Sequence, residues 1–333
     1  MEDVANHASV SKSTVSQFLN QRYEYMAGDT KKRIEKAIQT LGYNPNYVAR
    51  SLKQKKTLTI GIIVANILHR FSTMAIRAIE DFCYEKDYNT IVCNADDDPL
   101  KERRYIQLLR AKQVDGLIII PTEGNYEIYD GMQKEDFPVV FMDRKINGLT
   151  IPTITIENRE AASRAVQHFY DLGHHRIGML TPPLNISTRQ ERVEGFIKGY
   201  RLNNLVYDEK LIRNAEVEQV ANELEKMLNL SDPPTAILSG NDLVLIEILS
   251  YAKKYDVKIP GDLALITFDD VTFANFYYPS LTTIAQPAYE MGEAAADQLI
   301  KRMKVMNYSR GANQDGNKIE FASTLVVRES CGS

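Results

Sequence analysis

The chain has 333 residues, of which 25% are charged and 44% hydrophobic. This composition is typical of a folded soluble protein with two or three cores, and no apolar run is long enough for a membrane helix. The chain opens without a signal peptide, and its three cysteines have neither the even count of a disulfide framework nor the spacing of a metal site. We therefore expect a cytoplasmic protein with reduced thiols, no metal and no cofactor.

The formal net charge of −4 is distributed unevenly along the chain. Residues 1–56 carry ten basic and five acidic side chains, a net charge of +5, whereas the rest of the chain carries −9. A basic head on an acidic body favours a head that binds a polyanion. The same distribution argues against binding of nucleic acid along the whole length of the protein.

The basic head has the pattern of three short helices. A helical spacing of apolar residues opens the chain, and Ser11 can cap a second helix over residues 12–20. A third helix is predicted over residues 29–41, with Gly42 at its C-terminal end. Two short helices joined by a tight turn and braced by a third form a helix-turn-helix unit.

The body begins after a basic linker over residues 45–57, which can become helical against a partner. From residue 58, strand and helix patterns alternate in two sets, the first ending in a strand over 138–142 and the second in a strand over 263–268. This alternation predicts two doubly wound α/β units with parallel sheets. The cleft between the two units is the expected ligand site.

Four groups of motifs then occur in a characteristic order. They are Asp3-Val4-Ala5 with Val10-Ser11-Lys12-Ser13-Thr14-Val15-Ser16; Leu41-Gly42-Tyr43-Asn44-Pro45-Asn46 with Ala49-Arg50-Ser51-Leu52; Leu172-Gly173-His174 with Arg176-Ile177-Gly178; and Asn241-Asp242 with Phe268-Asp269-Asp270 and Leu281-Thr282-Thr283-Ile284. With these motifs the chain resembles the LacI family of bacterial transcriptional repressors over essentially its whole length. Within that family, residues 16–25 are most similar to Bacillus-type regulators of pectin and 2-keto-3-deoxygluconate metabolism.

The resemblance implies a domain organisation and an assembly. The implied domains are a helix-turn-helix domain over residues 1–44, a hinge linker over 45–57 and an effector-binding core over 58–330 with the fold of a periplasmic binding protein. The implied lobes of the core are a first lobe over about 58–156 and 288–318, and a second over about 157–287 and 319–330. The family also binds pseudo-palindromic operators as homodimers, because two-fold symmetry doubles the small footprint of one head.

Three side chains of the second helix suit base recognition in the major groove. Lys12 can donate to guanine O6 and N7, Gln17 can pair with adenine, and Ser13 can serve either base. The resemblance implies base contacts from these positions, although the family commonly has arginine where this chain has Gln17. We therefore expect an altered half-site; the alternative for Lys12 is a merely solvated lysine.

Hydroxyl groups and the linker supply the other expected DNA contacts. These residues are Ser11, Thr14, Ser16, Asn46, Arg50, Leu52 and Lys53. Ser11, Thr14 and Ser16 suit phosphate contacts, and Ser11 also suits a helix cap. In the family, the linker becomes helical on the operator and inserts a leucine into the minor groove, a position that Leu52 matches here.

The resemblance also implies a set of effector-binding side chains in the cleft. They are Arg70, Phe71, Asp143, Arg144, Arg189, Arg192, Asn241, Asp269 and Gln286. The four arginines would form a cationic pocket that favours a sugar acid over a neutral sugar, because guanidinium groups clamp carboxylates. Alternatively, Arg70 and Arg189 are solvated or paired with residues 96–98. Asp242 is expected to cap the following helix, and Asp270 to hold its loop together.

Other functional classes have less support in the sequence. It contains no Walker A motif, dinucleotide glycine fingerprint, His-Glu-x-x-His or Gly-x-Ser-x-Gly, so we do not expect an enzyme. The serious alternative is a two-lobed sugar receptor of the periplasmic type that does not bind DNA. The basic head counts against it.

Overall fold

The computed structural model of the chain describes residues 1–24, 26–43, 56–308 and 318–332, and for residues 305–308 the backbone alone. The chain forms two compact units, Met1–Thr57 and Leu58–Ser333. Within these described ranges, no helix is long and apolar enough to cross a membrane.

The first unit contains the three expected helices. They are α1 (Glu2–His7), α2 (Lys12–Leu19) and α3 (Gly28–Leu41). Ser11 caps α2 by accepting a hydrogen bond from the backbone N–H of Thr14 at 3.1 Å, and Gly42 ends α3 in the left-handed conformation that glycine adopts without strain. Val4, Val15 and Ile34 are fully buried, one from each helix, and form the centre of a small core.

The second unit contains two six-stranded sheets, one for each lobe. Their strands are β1 (Thr59–Val64), β2 (Asn89–Asn94), β3 (Gly116–Ile119), β4 (Val139–Met142), β5 (Thr153–Ile156), β6 (Ile177–Thr181), β7 (Ile212–Asn214), β8 (Ala236–Ser239), β9 (Ala264–Phe268), β10 (Thr282–Ala285), β11 (Lys318–Phe321) and β12 (Thr324–Val326). The strand order is β11-β5-β4-β3-β1-β2 in the first lobe and β12-β10-β9-β8-β6-β7 in the second. All strand pairs of the first sheet are parallel, as predicted. The second sheet is also parallel, except that β10 and β12 pair in antiparallel orientation.

Helices connect the parallel strands. They are α4 (Arg70–Glu85), α5 (Pro99–Ala111), α6 (Tyr126–Lys134), α7 (Asn158–Asp171), α8 (Ser187–Leu202), α9 (Val220–Leu228), α10 (Asp242–Tyr255) and α11 (Ala288–Tyr308). Two glycines permit close helix packing. A Cβ on Gly195 of α8 would lie 2.1 Å from the backbone oxygen of Arg159 in α7, and one on Gly292 of α11 would lie 2.7 Å from the backbone oxygen of Ala75 in α4.

The end of the first lobe lies later in the chain than predicted. Strand β11 (Lys318–Phe321) pairs in parallel with β5, with Ile319 opposite Ile154, so it belongs to the first lobe and not to the second. Two residues later the chain enters β12 of the second lobe. Residues 319–321 were therefore assigned to the wrong lobe, because nothing in this short strand indicates which sheet it joins.

Candidate functional site

The exposed face of α2 carries the side chains predicted to recognise bases. Lys12, Ser13 and Gln17 are all exposed, while Val15 on the opposite face is fully buried. This separation follows from the helical period, since residues one turn apart share a face. The face is therefore built from side chains with donors and acceptors that base edges can match.

Hydroxyl groups cluster at the N-terminus of α2. The Ser11 hydroxyl lies 2.6 Å from that of Ser13 and 2.8 Å from that of Thr14. Ser16 is partly buried and lies within reach of the Asn20 side chain. Lys12 Nζ forms a 2.8 Å ion pair with Glu2, and both side chains are largely exposed, so the pair is weak and leaves Lys12 able to exchange partners.

The remaining DNA contacts predicted from the sequence belong to the linker and its start. Asn46, Arg50, Leu52 and Lys53 lie outside the described residues. Their assignment to DNA stays a prediction from the sequence.

A narrow cavity lies between the two lobes of the second unit. Its lining residues are Ala65, His69, Phe71, Ser72, Ile120, Asp143, Arg144, Ile186, Thr188, Arg189, Arg192, Gly240, Asn241, Asp269 and Gln286. Eight of the nine predicted effector residues are in this set. The cavity volume is about 40 Å³, room for a few water molecules, so a sugar-sized ligand requires the lobes or side chains to move.

Two aspartates occupy equivalent places in the two lobes. Asp143 directly follows β4 and Asp269 directly follows β9, and both have left-handed backbones, with φ of +65° and +73°. Aspartate tolerates this conformation better than most residues with a side chain, so its cost here is small. Burial raises the pKa of Asp269, to which the Gln286 side chain donates a 2.5 Å hydrogen bond.

Arg192 is held firmly on the second-lobe side of the cavity. Its Nε donates to the Asn158 side chain at 2.9 Å and its Nη1 to the Gly240 carbonyl at 2.7 Å, while the guanidinium lies 4.0 Å from the centre of the Phe268 ring. Two of its five donors are thus used by neutral acceptors of the protein, and the remainder are available to a ligand.

Arg144 and Arg189 differ in how their charges are balanced. Arg144 donates to the Asp97 carboxylate at 2.7 Å and to a backbone carbonyl. Arg189 donates to the Pro183 carbonyl and the Asn185 amide oxygen, both neutral groups. Burial, together with the positive charges of Arg144 and Arg192, lowers the pKa of Arg189 to about 10. The carboxylates of Asp97 and Asp143 act on Arg189 in the opposite direction. Burial and the two neighbouring guanidinium groups nevertheless favour an anion beside Arg189 over a further cation.

Arg70 lines an adjoining cavity of about 290 Å³, which shares Phe71, Asp269 and Gln286 with the narrow cavity. Its guanidinium donates to the backbone oxygen of Asp270 and lies 3.8 Å from the carboxylate of the same residue. The alternative pairing with residues 96–98 is not seen for Arg70.

At the start of helix α10, Asn241 and Asp242 make contacts that differ from the expected ones. Asn241, not Asp242, caps the helix, since its side-chain oxygen accepts a 2.9 Å hydrogen bond from the backbone of Val244. Asp242 instead contacts His69 in the first lobe at 2.5 Å. Asp270 does hold its loop, through Thr283 at 2.8 Å and Arg328 at 3.0 Å.

Sequence reasoning missed three polar residues of the cavity: His69, Ser72 and Thr188. His69 could have been found, because it stands next to Arg70, which the sequence predicts to bind the effector. Ser72 and Thr188 lie in the first turns of α4 and α8, and ordinary hydroxyl residues near helix starts give no distinct signal.

Comparison with known proteins matches this architecture. A model of the lacI family of bacterial regulatory proteins matches residues 1–46, and one of periplasmic binding protein-like domains matches residues 166–331. The probable HTH-type transcriptional regulator EndR of Paenibacillus polymyxa is 46% identical over 306 residues, which cover 91% of this chain and 90% of that protein. The chain belongs to the LacI family.

Other members of the LacI family are similar to this chain over nearly its whole length. The HTH-type transcriptional regulator KdgR of Bacillus subtilis is 33% identical over 99% of this chain and 97% of that protein. The structure of the Lac repressor dimer bound to operator and the anti-inducer ONPF has a TM-score of 0.85 at 25% identity, covering 99% of this chain and 98% of that one. The family prediction is confirmed, and the protein is a DNA-binding transcriptional regulator of LacI type.

Proposed function

We propose that this LacI-family regulator represses transcription as a homodimer on a pseudo-palindromic operator, and that a small sugar acid in the lobe cleft controls the binding. The operator-bound dimer of the Lac repressor supports the assembly. The operator contacts in this proposal are Ser11, Lys12, Ser13, Thr14, Ser16, Gln17, Asn46, Arg50, Leu52 and Lys53. Of these, Lys12, Ser13 and Gln17 select bases, and the rest bind the backbone or, for Leu52, bend the duplex.

The effector contacts in this proposal are Phe71, Asp143, Arg144, Arg189, Arg192, Asn241, Asp269 and Gln286. The observation that carries the choice of an acid is the environment of Arg189, whose hydrogen-bond acceptors are neutral and whose neighbours include two other arginines. A carboxylate would pair with Arg189, while the aspartates and amides accept from and donate to hydroxyl groups. A relative carrying the name KdgR favours 2-keto-3-deoxygluconate or a related keto-deoxy acid.

A ligand screen tests the acid. We expect 2-keto-3-deoxygluconate or another sugar acid to raise the melting temperature of the protein, whereas neutral sugars leave it unchanged. Arg189→Gln should weaken the binding of that acid, measured by calorimetry, by about tenfold or more, because a charged hydrogen bond is lost. Arg201→Gln, an exposed position on the same helix α8, is the matched control and should bind the acid normally. Stabilisation by neutral sugars alone would refute the anionic-effector proposal.

The same proposal places the protein in the cytoplasm and assigns it no catalytic activity. Its similarity to transcriptional regulators supports both statements, since operator DNA is cytoplasmic in bacteria and regulators act by binding. The alternative of a sugar receptor without DNA binding is disfavoured by the match of residues 1–46 to the family's DNA-binding part.

A further inference from the structure

Two residues bridge the lobes at one rim of the cavity. His69 directly precedes α4 in the first lobe, and Asp242 is the first residue of α10 in the second. The His69 Nδ1 lies 2.5 Å from one Asp242 carboxylate oxygen, and the backbone N–H of Arg70 donates to the other at 3.1 Å. Both side chains are well shielded, with 14% and 6% of their surfaces exposed. One carboxylate of the second lobe is thus held by two consecutive residues of the first.

A ligand that moves the lobes apart at this rim must change the His69–Asp242 contact. The cavity between the lobes has a volume of about 40 Å³, and His69 is part of its lining. Separating the lobes to admit a sugar-sized molecule requires the His69–Asp242 contact to lengthen or break. The strength of this one contact therefore enters the free-energy difference between the closed and open forms of the cleft.

We infer that His69 and Asp242 form a protonation-dependent latch, which holds the lobes together when the imidazole is charged and weakens when it loses its proton. The inference deepens the proposed function of the cleft, because the latch would set how readily an effector enters. It does not depend on the identity of the effector, since the latch acts within the protein itself.

The electrostatic surroundings of His69 support the charged form. Burial lowers the pKa of His69, but the Asp242 carboxylate outweighs it, so the pKa of His69 stays above its usual value. The carboxylates of Asp269 and Asp97 act in the same direction. The other charged side chains of the cavity lining are Asp143, Arg144, Arg189 and Arg192. Asp242 remains ionised, because the contact with His69 holds its pKa below the usual range in spite of burial.

Other contacts also join the two lobes. Arg70 donates to the Asp270 carbonyl on the same rim, and Lys145 pairs with Glu191 on another part of the cleft. The backbone N–H of Lys145 also donates to Ser187 Oγ at 3.0 Å. Of these contacts, the His69–Asp242 pair is the one that contains an imidazole, the side chain whose ordinary pKa lies nearest to neutral pH.

The sign of the effect follows from linkage. A histidine whose pKa is higher in the closed form than in the open form stabilises the closed form fully at low pH, and this contribution is lost as the pH rises through the closed-form pKa. We expect the ratio of open to closed lobes to rise at least about threefold between pH 6 and pH 9. The change should occur without any ligand.

Two measurements on the full-length, ligand-free protein test the latch. The chain has five histidines, so NMR of their ring signals can follow each titration, with the His69 signal identified by its loss in His69→Gln. Spin labels at Leu100→Cys and Val206→Cys, both exposed and on different lobes, report the interlobe distance by pulsed electron resonance in dimers diluted with unlabelled chains. The native cysteines are buried, which protects them from labelling.

Three single substitutions test whether the His69–Asp242 pair causes the pH dependence of the interlobe distance. His69→Gln keeps a hydrogen-bond donor that cannot titrate, so the pH dependence of the interlobe distance should disappear; Asp242→Asn should lower the pKa of His69. His174→Gln is the control, because His174 bonds to Thr235 within the second lobe and bridges nothing. The latch is overturned if His69→Gln retains the wild-type pH dependence, or if the pKa of His69 is the same in Asp242→Asn. These results are independent of the ligand screen, so a failed screen and a failed latch are distinguishable.

Discussion

Gln17 of the DNA-binding face stands where the family commonly has arginine. It is exposed on α2 beside Lys12 and Ser13, and its amide can donate to and accept from a single adenine. An arginine at the same place donates twice and cannot accept, so it matches guanine. The expected consequence is a change of preferred base and not a loss of affinity.

Gln17→Arg should therefore move the preference at one base pair of each half-site from A·T toward G·C. A bidentate contact discriminates by about 1–3 kcal/mol, or roughly fivefold to 150-fold in relative affinity. Selection of bound sequences from a random operator library measures the shift. Gln39→Arg places the same charge on the exposed face of α3 and should raise affinity for all sequences without changing the preferred base. An unchanged base preference in Gln17→Arg would contradict the assignment.

Helix α8 illustrates how an element places site residues. It starts at Ser187 directly beside the cleft, carries Arg189 and Arg192 in its first two turns, and packs closely on α7 farther along. The close approach depends on Gly195, where a Cβ would lie 2.1 Å from the Arg159 carbonyl oxygen. Backbone atoms cannot yield as a flexible side chain can, so the two helices set the position of the arginines.

Gly195→Ala should destabilise the protein by about 1–3 kcal/mol, the usual cost of overpacking, because α7 and α8 would have to move apart. Urea denaturation gives the free energy of unfolding. Gly131→Ala in α6 is the matched control. No atom lies within 4 Å of a Cβ at that position, so we expect a gain of about 0.5–1 kcal/mol from the better helix propensity. A neutral Gly195→Ala would show that the helix pair tolerates separation.

At the scale of the whole molecule, the DNA-binding head and the effector-binding body carry net charges of opposite sign. The head and linker carry +5 and the body −9, while the body keeps three arginines around its internal cavity. The basic side chains of the head include those of the bracing helix α3, outside the face of α2 that we propose recognises bases. We therefore expect charge to provide affinity and α2 to provide sequence choice.

Operator affinity should accordingly fall steeply with salt, with log K linear in log salt concentration. Removing one phosphate contact reduces the slope by about 1. We expect this for Lys53→Gln, measured by fluorescence anisotropy with labelled operator at several salt concentrations. Lys226→Gln, in helix α9 of the body, should leave the slope unchanged. Salt-independent binding, or no binding, would instead favour the receptor alternative.

The sequence alone determined the helix-turn-helix head, the alternating α/β body and the family. These features follow from local periodicity and from residues adjacent in the chain, such as Ser11 before α2 and Gly42 after α3. The short strands β5, β7, β11 and β12 escaped prediction, because they lack the continuous apolar run that indicated strands of similar length such as β4.

Tertiary structure decided which side chains meet across the cleft. His69 and Asp242 are 173 positions apart in the sequence. No local pattern indicates that two residues so far apart form a pair. Arg70 was predicted beside Arg189 but lies against Asp270, since one helix start directs consecutive side chains to different surroundings. The charge on a residue follows from its type, whereas its partner and therefore its role depend on how the two lobes fold together.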